Sequence, residues 1–198
     1  MSFGIEDIKR LRELTGVGIT DAKKALQETG GDFQKALEAM RVKGLAKADA
    51  KSEREARSGL IEAYVHSGRI GAMVELNCET DFVAKTDEFK TLAHDLAMHV
   101  VAANPRYLNP DNIPKNELKK EQNLIGAELK ASGKSADILA KITEGKLESW
   151  YDEVCLSRQA FIKDPDQTIE DLVKSAIAKL GENIVIRRFG RFELGENS

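Results

Sequence analysis

The sequence predicts an α+β fold, in which an N-terminal bundle of three helices precedes a larger domain built around a small antiparallel sheet. The first 42 residues carry only helical periodicity, whereas residues 59–78 alternate apolar and polar side chains on either side of a tight turn. Helical patterns then continue to a final strand at 183–194. A hairpin first, helices between and a strand last is an α+β order rather than a βαβ alternation.

The domain organisation follows from these patterns. We expect a helical bundle at residues 1–42, a linker at 43–58 and an α+β core at 59–198. The linker segment is rich in alanine and charged residues and has few large apolar side chains to bury. We interpret it as a partly helical, solvated connector, with contact to RNA through its basic residues as the alternative.

The bundle is predicted from three short helical segments. The first has one apolar stripe, formed by Ile5, Ile8 and Leu11. Thr20 is the expected N-cap of the second helix, and Asp32 is that of the third. About forty residues of this kind leave little room for a catalytic cleft, so we interpret the bundle as a binding module.

Two alternating runs predict a β-hairpin with one buried face. The apolar positions expected on that face are Ile61, Ala63 and Val65 in the first strand and Ile70, Ala72, Val74 and Leu76 in the second. Ser67 and Gly68 lie between the two runs, and residues of this kind form tight hairpin turns.

Helical patterns fill the stretch between the hairpin and the last strand. One helix runs from Phe89 until Asn104-Pro105, where the proline ends it. A second is marked by Leu118, Gln122, Ile125 and Leu129. A third covers Ile138 to Val154 and is interrupted at Gly145. The sequence assigns no role to residues 118–154.

The C-terminal part is predicted as strand, turn, helix and strand. A short strand covers residues 159–162, and Asp164-Pro165-Asp166 forms a turn. Thr168 and Asp171 resemble a capping box that opens a helix, with Gly181 just past its end. The last strand extends from Asn183 to Leu194.

The composition argues against several classes of protein. The formal net charge is −3, so no global excess of Lys and Arg indicates a nucleic-acid binder. No apolar run approaches the roughly 18 residues that span a bilayer, and the N-terminus lacks the pattern of a signal peptide. We therefore expect a cytoplasmic protein without a membrane partner. The two cysteines, Cys78 and Cys155, are too few for a disulfide framework, and we interpret both as small buried residues.

No motif in the sequence supports an enzyme, a metal site or a cofactor. His94 and His99 are five residues apart, so they do not share a helical face as two metal ligands would. Gly16-Val17-Gly18 lacks the third glycine of a phosphate-binding loop and does not follow a strand. No serine or cysteine lies in a recognisable nucleophile motif.

The stretch from Arg187 to Phe192 mixes basic and aromatic residues, as surfaces that stack nucleic-acid bases do. The alternative, which we prefer, is that Phe189 and Phe192 pack inward around a bulge at Gly190. The arginines would then face water or pair with Glu193. We expect no direct nucleic-acid partner.

The segment Thr80-Asp81-Phe82-Val83 joins the hairpin to the next helix. Thr80 is a good N-cap, and Asp81 suits the first helical turn. The apolar stripe of the following helix begins at Phe89 and does not need Phe82. Phe82 is therefore either an ordinary core residue or an exposed aromatic anchor for a partner, and the residues alone leave both open.

Two long stretches of the chain resemble the signature sequences of the elongation factor Ts family. They are Leu11 to Leu26 and Glu75 to Lys85, and the tail from Asp164 to Glu196 is also similar. The resemblance spans essentially the whole chain, with two long motifs in the right order.

This resemblance implies a guanine-nucleotide exchange factor of translation elongation, which binds elongation factor Tu with GDP, displaces its Mg²⁺ and promotes GDP release. It implies that the bundle is a ubiquitin-associated-like domain that docks on the partner's G domain through Arg12, Ile19 and Thr20. It also implies that Thr80 to Val83 approach the nucleotide site, with the ring of Phe82 wedged between partner helices.

The resemblance also bears on assembly. Long members of the family carry a duplicated core and a C-terminal helical module, whereas this sequence shows one core. Short members supply the second half as a symmetric homodimer, so we expect a C2 dimer through the core and a 2:2 complex with elongation factor Tu. The alternative function is an RNA- or ribosome-associated adaptor, with the bundle binding a peptide and residues 187–192 binding RNA.

Overall fold

The computed structural model describes residues 3–130 and 136–196 and has the α+β fold that the sequence predicts. Its helices are α1 (Ile5–Thr15), α2 (Ile19–Glu28), α3 (Phe33–Asp49), α4 (Asp81–Ala84), α5 (Asp87–Ala103), α6 (Lys115–Lys130), α7 (Ala136–Val154) and α8 (Ile169–Leu180). Its strands are β1 (Ser58–His66), β2 (Ile70–Cys78), β3 (Ala160–Phe161), β4 (Asp164–Thr168) and β5 (Ile184–Glu193). Within the described ranges, no helix is long and apolar enough to cross a membrane.

The first three helices pack around a small core of their own. Its buried members are Leu11, Val17, Ala22, Ala25, Leu26, Ala36 and Met40. The predicted stripe of α1 is only partly buried, because Ile5 remains 68% exposed. The predicted cap of α2 is wrong: the helix begins one residue before Thr20, and Gly18 is its N-cap with an extended backbone. Asp32 caps α3 as predicted, since its carboxylate accepts the Lys35 N–H at 3.1 Å.

Helix α3 continues seven residues beyond the predicted end of the bundle at residue 42. Its last turns pack on α8: Ala48 is buried in the main core, and Asp49 accepts an ion pair from Lys174 at 2.9 Å. A Cβ on Gly44 would lie 3.3 Å from that of Ala178, so the two helices approach closely there. Residues 43–49 therefore belong to a helix that holds the bundle against the core, while the division into three functional units stays a prediction.

The main sheet is antiparallel, with the strand order β1-β2-β5. Strands β1 and β2 form the predicted hairpin, and both Ser67 and Gly68 in its turn have positive φ. Antiparallel pairing of consecutive strands needs only such a short turn, whereas β5 reaches the other side of β2 after the intervening helices.

One face of the sheet packs against the helices, and its composition differs from the prediction in β1. In β2 the predicted residues Ala72, Val74 and Leu76 are buried. In β1 the predicted face is wrong, because Ile61 and Val65 are 62% and 64% exposed. The residues that accompany the inner face are Leu60, Glu62 and Tyr64. The reason is the register, which pairs Glu62 with Val74, and residues directly opposite each other share a face.

Three smaller predictions in the C-terminal half are also corrected. Helix α7 is continuous through Gly145, since a single glycine costs a helix only about 1 kcal/mol. Asp164-Pro165-Asp166 lies at the start of β4 instead of forming a turn. The bulge in the β2–β5 pairing lies at Arg187, between the pairs Leu76–Ile186 and Glu75–Arg188, rather than at Gly190.

The start and end of α8 agree with the prediction. The Thr168 hydroxyl accepts the Asp171 N–H at 3.1 Å, and the Asp171 carboxylate in turn accepts the Thr168 N–H at 3.2 Å. Gly181 ends the helix in the left-handed conformation, with φ of 82°. The chain then enters β5 through Glu182 and Asn183, which places these two residues beside the end of β2.

Candidate partner-binding site

The short helix α4 begins as the sequence predicts. Thr80 has an extended backbone, and its Oγ1 accepts the Val83 N–H at 3.4 Å, so Thr80 is the N-cap. Asp81 follows in the first turn, where a carboxylate interacts favourably with the helix dipole. Val83 and the buried Ala84 pack this turn on the main core.

Phe82 points away from that core. Its side chain is 79% exposed, the largest exposed fraction among the exposed large apolar residues of the described chain. The core interpretation of Phe82 is therefore wrong. A rigid aromatic ring has few rotatable bonds, so it loses little conformational entropy when a partner binds. It also offers the partner a large contact area.

The turn that carries Phe82 is held through all three polar groups of Thr80. Glu182 accepts the Thr80 N–H at 2.9 Å with Oε2 and the Thr80 hydroxyl at 2.6 Å with Oε1. The Thr80 carbonyl accepts the Cys78 thiol at 3.0 Å and the Ala84 N–H at 3.3 Å. Hydrogen bonds to a charged acceptor are the stronger kind, so the carboxylate of Glu182 is the main restraint on the turn.

A second carboxylate makes the reverse connection. Glu79 Oε1 accepts the backbone N–H of Asn183 at 2.6 Å, so residues 79–80 and 182–183 hold each other. The side-chain amide of Asn183 donates to the carbonyls of Ser52 and Arg54 at 3.2 Å and 2.6 Å. Asn183 is 2% exposed, which explains why its amide needs these partners.

Sequence reasoning missed Glu182 and Asn183 as parts of this site. They lie more than one hundred residues from Thr80 and Glu79 along the chain, so no local pattern connects them. The sequence signal that was present is their place in the C-terminal stretch that resembles the family.

Asp81 does not contribute to holding the turn. Its carboxylate is exposed and accepts the Lys85 ammonium at 2.6 Å, one helical turn further on. This hydrogen bond and the charge of Lys85 lower the pKa of Asp81 below its usual value. Asp81 is therefore ionised and paired with Lys85 within the helix that carries the exposed ring.

The cysteines are not part of any reactive site. Both are free and buried, as the sequence predicts. Burial raises the pKa of Cys78, with the nearby charge of Glu182 adding to the effect, and burial raises the pKa of Cys155 to about 11. Both thiols are therefore protonated and unreactive at neutral pH. No group of His, Cys, Asp and Glu within residues 3–130 and 136–196 is arranged to hold a metal ion.

The predicted docking residues lie apart from this turn. Arg12 is on α1, and Ile19 and Thr20 open α2; all three are exposed, Ile19 by 58%. A cleft of about 550 Å³ lies between the bundle and the core, lined by the end of α1, the first turn of α5 and much of α8. The structure therefore places Arg12, Ile19 and Thr20 on the bundle and Thr80 to Val83 on the core, and neither group lines this cleft.

The second face of the sheet, opposite the helices, is largely apolar. We call it the outer sheet face, and its exposed large apolar residues are Ile61, Val65, Met73, Val185 and Phe192. Phe192 is 72% exposed, so the inward packing predicted for it is wrong, whereas Phe189 packs against the main core as predicted.

Two of the three arginines of this stretch, Arg188 and Arg191, are engaged in ion pairs, whereas Arg187 is exposed. Arg188 donates to Glu75 at 2.6 Å on the outer sheet face. Arg191 is largely buried and donates to Glu193 at 2.6 Å, the pairing that the sequence predicts, and to Glu196 at 3.4 Å. Paired guanidinium groups offer less to a phosphate backbone than free ones, which weakens the case for RNA binding here.

Comparison with known proteins identifies the family. The family model described as "Elongation factor TS" matches residues 5–196. The chain is 54% identical over 198 residues to "Elongation factor Ts" of Herpetosiphon aurantiacus, with all of both chains covered. It is 53% identical over 190 residues to "Elongation factor Ts" of Carboxydothermus hydrogenoformans, which covers 96% of this chain and 88% of that protein. The protein of the same name from Syntrophus aciditrophicus is 52% identical over 190 residues, covering 96% and 94%. The chain therefore belongs to the elongation factor Ts family.

Proposed function

We propose that this chain is the guanine-nucleotide exchange factor of elongation factor Tu in translation elongation, and that it releases GDP by inserting Phe82 into its partner and displacing the partner's Mg²⁺. The observation that carries the proposal is the ring of Phe82, 79% exposed on a turn fixed by Glu182. Membership in the elongation factor Ts family supplies the partner.

The mechanism needs only displacement. Mg²⁺ demands nearly octahedral ligands at about 2.0–2.1 Å and links the phosphates of a bound nucleotide to protein. A shift well below an ångström in one element that carries a ligand would therefore weaken GDP. A rigid ring entering between helices of the partner can produce such a shift without any covalent step, so the chain need not act as an enzyme in the usual sense.

Exchange is completed by reciprocity. If this chain loosens GDP by some factor, GDP must loosen the chain by the same factor, because the coupling free energy is shared by the two ligands. GTP entering the emptied site can then displace the chain. The carboxylate of Asp81, next to Phe82 in the chain, is paired with Lys85, so a partner cation would have to compete with that ion pair.

Docking by the bundle would position the ring. Arg12, Ile19 and Thr20 form an exposed group at the end of α1 and the start of α2, which we assign to contact with the G domain of elongation factor Tu. Because α3 packs directly on α8, the bundle and the core approach the partner as one body in the structure described. The partner would then be held at two points, with the ring at the second.

The outer sheet face supports a homodimer. Soluble monomers rarely expose contiguous apolar patches of this kind, and two sheets pack well face to face at about 10 Å. The charged pair on the face, Glu75 with Arg188, is internally neutral, so two copies of the face can meet without repulsion. A twofold dimer through this face leaves α4 and its ring free, because α4 and α5 lie on the other side of the sheet. Each protomer could then hold one elongation factor Tu, as a 2:2 complex.

The exchange proposal is tested by GDP release. Elongation factor Tu is loaded with a fluorescent GDP analogue, and release is followed after addition of excess GTP with this protein at a tenth of the molar amount. We expect several turnovers of release per added molecule. An unchanged release rate would refute the proposed function.

The magnesium step has its own test. The same release is measured at millimolar Mg²⁺ and with Mg²⁺ removed by EDTA. If the chain acts by displacing Mg²⁺, it should accelerate GDP release strongly when the ion is present. It should accelerate release only slightly in EDTA, because the ion has then already been removed. An equal fold acceleration in both buffers would rule out magnesium displacement while leaving exchange itself intact.

A further inference from the structure

The carboxylate of Glu182 lies at the junction between α8 and β5, outside the two groups of residues that the proposed mechanism assigns to contact with the partner. It nevertheless accepts two hydrogen bonds from Thr80 at the start of the turn that carries Phe82, from the hydroxyl at 2.6 Å and from the backbone N–H at 2.9 Å. An N-cap threonine needs only its own hydroxyl to start a helix. The two additional hydrogen bonds to a charged group from a distant part of the chain therefore need a separate explanation.

The geometry around Glu182 indicates what these two hydrogen bonds do. Helix α4 has only four residues, too few to be stable by itself, and Phe82 lies in its first turn. Without Glu182, the packing of Val83 and Ala84 and the Thr86 hydroxyl, which donates to the Val83 carbonyl at 2.8 Å, would still hold the end of the turn. Thr80 at its start would lose both hydrogen bonds to the carboxylate. Glu182 is itself fixed from both sides, since Gly181 ends α8 before it and Asn183 is bonded to Glu79 and to residues 52 and 54 after it.

We propose that Glu182 is the positioning residue of the exchange reaction, and that it holds Thr80 so that the ring of Phe82 is aimed before the partner arrives. A ring aimed in advance loses less entropy on binding, and preorganised anchors bind more strongly for that reason. The inference rests on the proposed function, and it adds that Glu182, at the junction between α8 and β5, belongs to the functional unit.

The test combines Glu182→Ala with Phe82→Ala in a double-mutant cycle on GDP release. Loss of two hydrogen bonds to a carboxylate should slow release at least about ten-fold in Glu182→Ala. In the Phe82→Ala background the same change should alter release less than about two-fold, because Glu182 acts through the ring. Glu182→Gln keeps the side-chain length and one acceptor oxygen, so it should give an intermediate rate and serves if the alanine variant folds poorly.

Thr168→Ala is the matched control. It removes the N-cap at the opposite end of α8 and so destabilises the same helix without touching the turn. We expect GDP release from elongation factor Tu in the presence of Thr168→Ala to proceed at the wild-type rate. Equal slowing by Thr168→Ala and Glu182→Ala, or equal slowing by Glu182→Ala with and without the ring of Phe82, would overturn the positioning role.

Hydrogen exchange separates this inference from the exchange proposal. The amides of Val83 and Ala84 bond to Thr80, so Glu182→Ala should speed their hydrogen exchange whereas Thr168→Ala should not. If Phe82→Ala leaves GDP release unchanged, the proposed role of the ring fails, and Glu182 is judged on the amides alone. If hydrogen exchange at these two amides is the same in Glu182→Ala as in the wild type, the positioning role of Glu182 is overturned in either case.

Discussion

Two phenylalanines seven residues apart behave in opposite ways. Phe82 on α4 is 79% exposed, whereas Phe89 on α5 is completely buried. Their local sequences are alike, since each helix begins with a threonine N-cap followed by an aspartate, Thr80-Asp81 and Thr86-Asp87. The hydroxyl of Thr86 accepts the Phe89 N–H at 3.3 Å, much as Thr80 accepts that of Val83.

The difference between the two rings comes from tertiary structure. Helix α5 has 17 residues and lays a broad apolar side on the sheet, so a ring in its first turn is covered by the core. Helix α4 ends after four residues, and its inner side is already filled by Val83 and Ala84. The comparison shows that helix-start chemistry sets the backbone at both places, and that the use of each ring is set by what the rest of the chain brings beside it.

The two rings should differ most in what they contribute to stability, which replacing each by alanine measures. Phe89→Ala should lower the free energy of unfolding by about 3–5 kcal/mol, since it empties a fully buried aromatic site. Phe82→Ala should change it by less than about 0.5 kcal/mol, as exposed surface substitutions do. Urea denaturation of both variants measures the two values, and similar losses in the two would contradict the contrast between the rings.

Phe192 extends the comparison to a third ring, which is exposed on the outer sheet face. If that face is a dimer interface, Phe192→Lys should bury a charge on each side of the twofold axis and dissociate the dimer. Sedimentation at micromolar concentration should find two 21.9 kDa chains together in the wild type and single chains in the variant. Phe82→Ala is the control and should stay dimeric. A wild-type protein that sediments as single chains would refute the dimer.

The two threonine N-caps, Thr80 and Thr86, should also differ in their contributions to the free energy of unfolding. Thr86→Val should cost about 1 kcal/mol of unfolding free energy, the usual value for a lost N-cap. Thr80→Val should cost about 2 kcal/mol, because its hydroxyl donates to the charged carboxylate of Glu182 at 2.6 Å, whereas the Thr86 hydroxyl donates to the neutral Val83 carbonyl at 2.8 Å. Both are read from the same urea titrations. If Thr80→Val proves the less costly of the two, the carboxylate does not hold the turn as described.

A pH titration tests the α5 side of the comparison. His99 is buried on α5, with Nε2 bonded to Gln159 at 3.0 Å and Nδ1 accepting the Ile162 N–H at 3.4 Å, so the neutral ring satisfies both contacts. Burial lowers the pKa of His99 below its usual value of 6.5, although the bond to Gln159 opposes the shift. Below pH 6.5 the unfolded chain therefore binds a proton that the folded chain resists, and stability falls with falling pH.

Between pH 6.5 and 5, the free energy of unfolding should fall by up to about 1.4 kcal/mol per pH unit. His99→Gln should flatten this part of the profile while lowering stability at neutral pH, because it removes the titrating group but disturbs the packing. A wild-type stability that is constant from pH 6.5 to 5 would contradict a neutral, buried His99.

Local chemistry accounts for the parts of the fold and site that sequence predicts well. Thr80 as N-cap, the capping box of Thr168 with Asp171, and Gly181 as the end of α8 depend only on neighbouring residues, and all three are confirmed. The phase of β2 was also predictable, because only one set of its alternating positions is apolar throughout.

Non-local geometry accounts for the failures. In β1 both alternating sets contain apolar residues, Leu60 and Tyr64 against Ile61 and Val65, so the pattern alone cannot choose a face. The pairing of Glu62 with Val74 across the turn makes the choice. The exposure of Phe82 and its support by Glu182 likewise depend on a contact between residues about one hundred positions apart, which periodicity does not encode.

We propose that the ring of Phe82 acts on the partner and does not support the fold. The most direct measurement compares GDP release from elongation factor Tu by the wild type and by Phe82→Ala, with urea denaturation of the same samples. We expect release about thirty-fold slower, equivalent to about 2 kcal/mol for a lost interface anchor, together with an unfolding free energy within about 0.5 kcal/mol of the wild type. Release at the wild-type rate by a folded Phe82→Ala, or a loss of stability of about 3 kcal/mol or more, would contradict the claim.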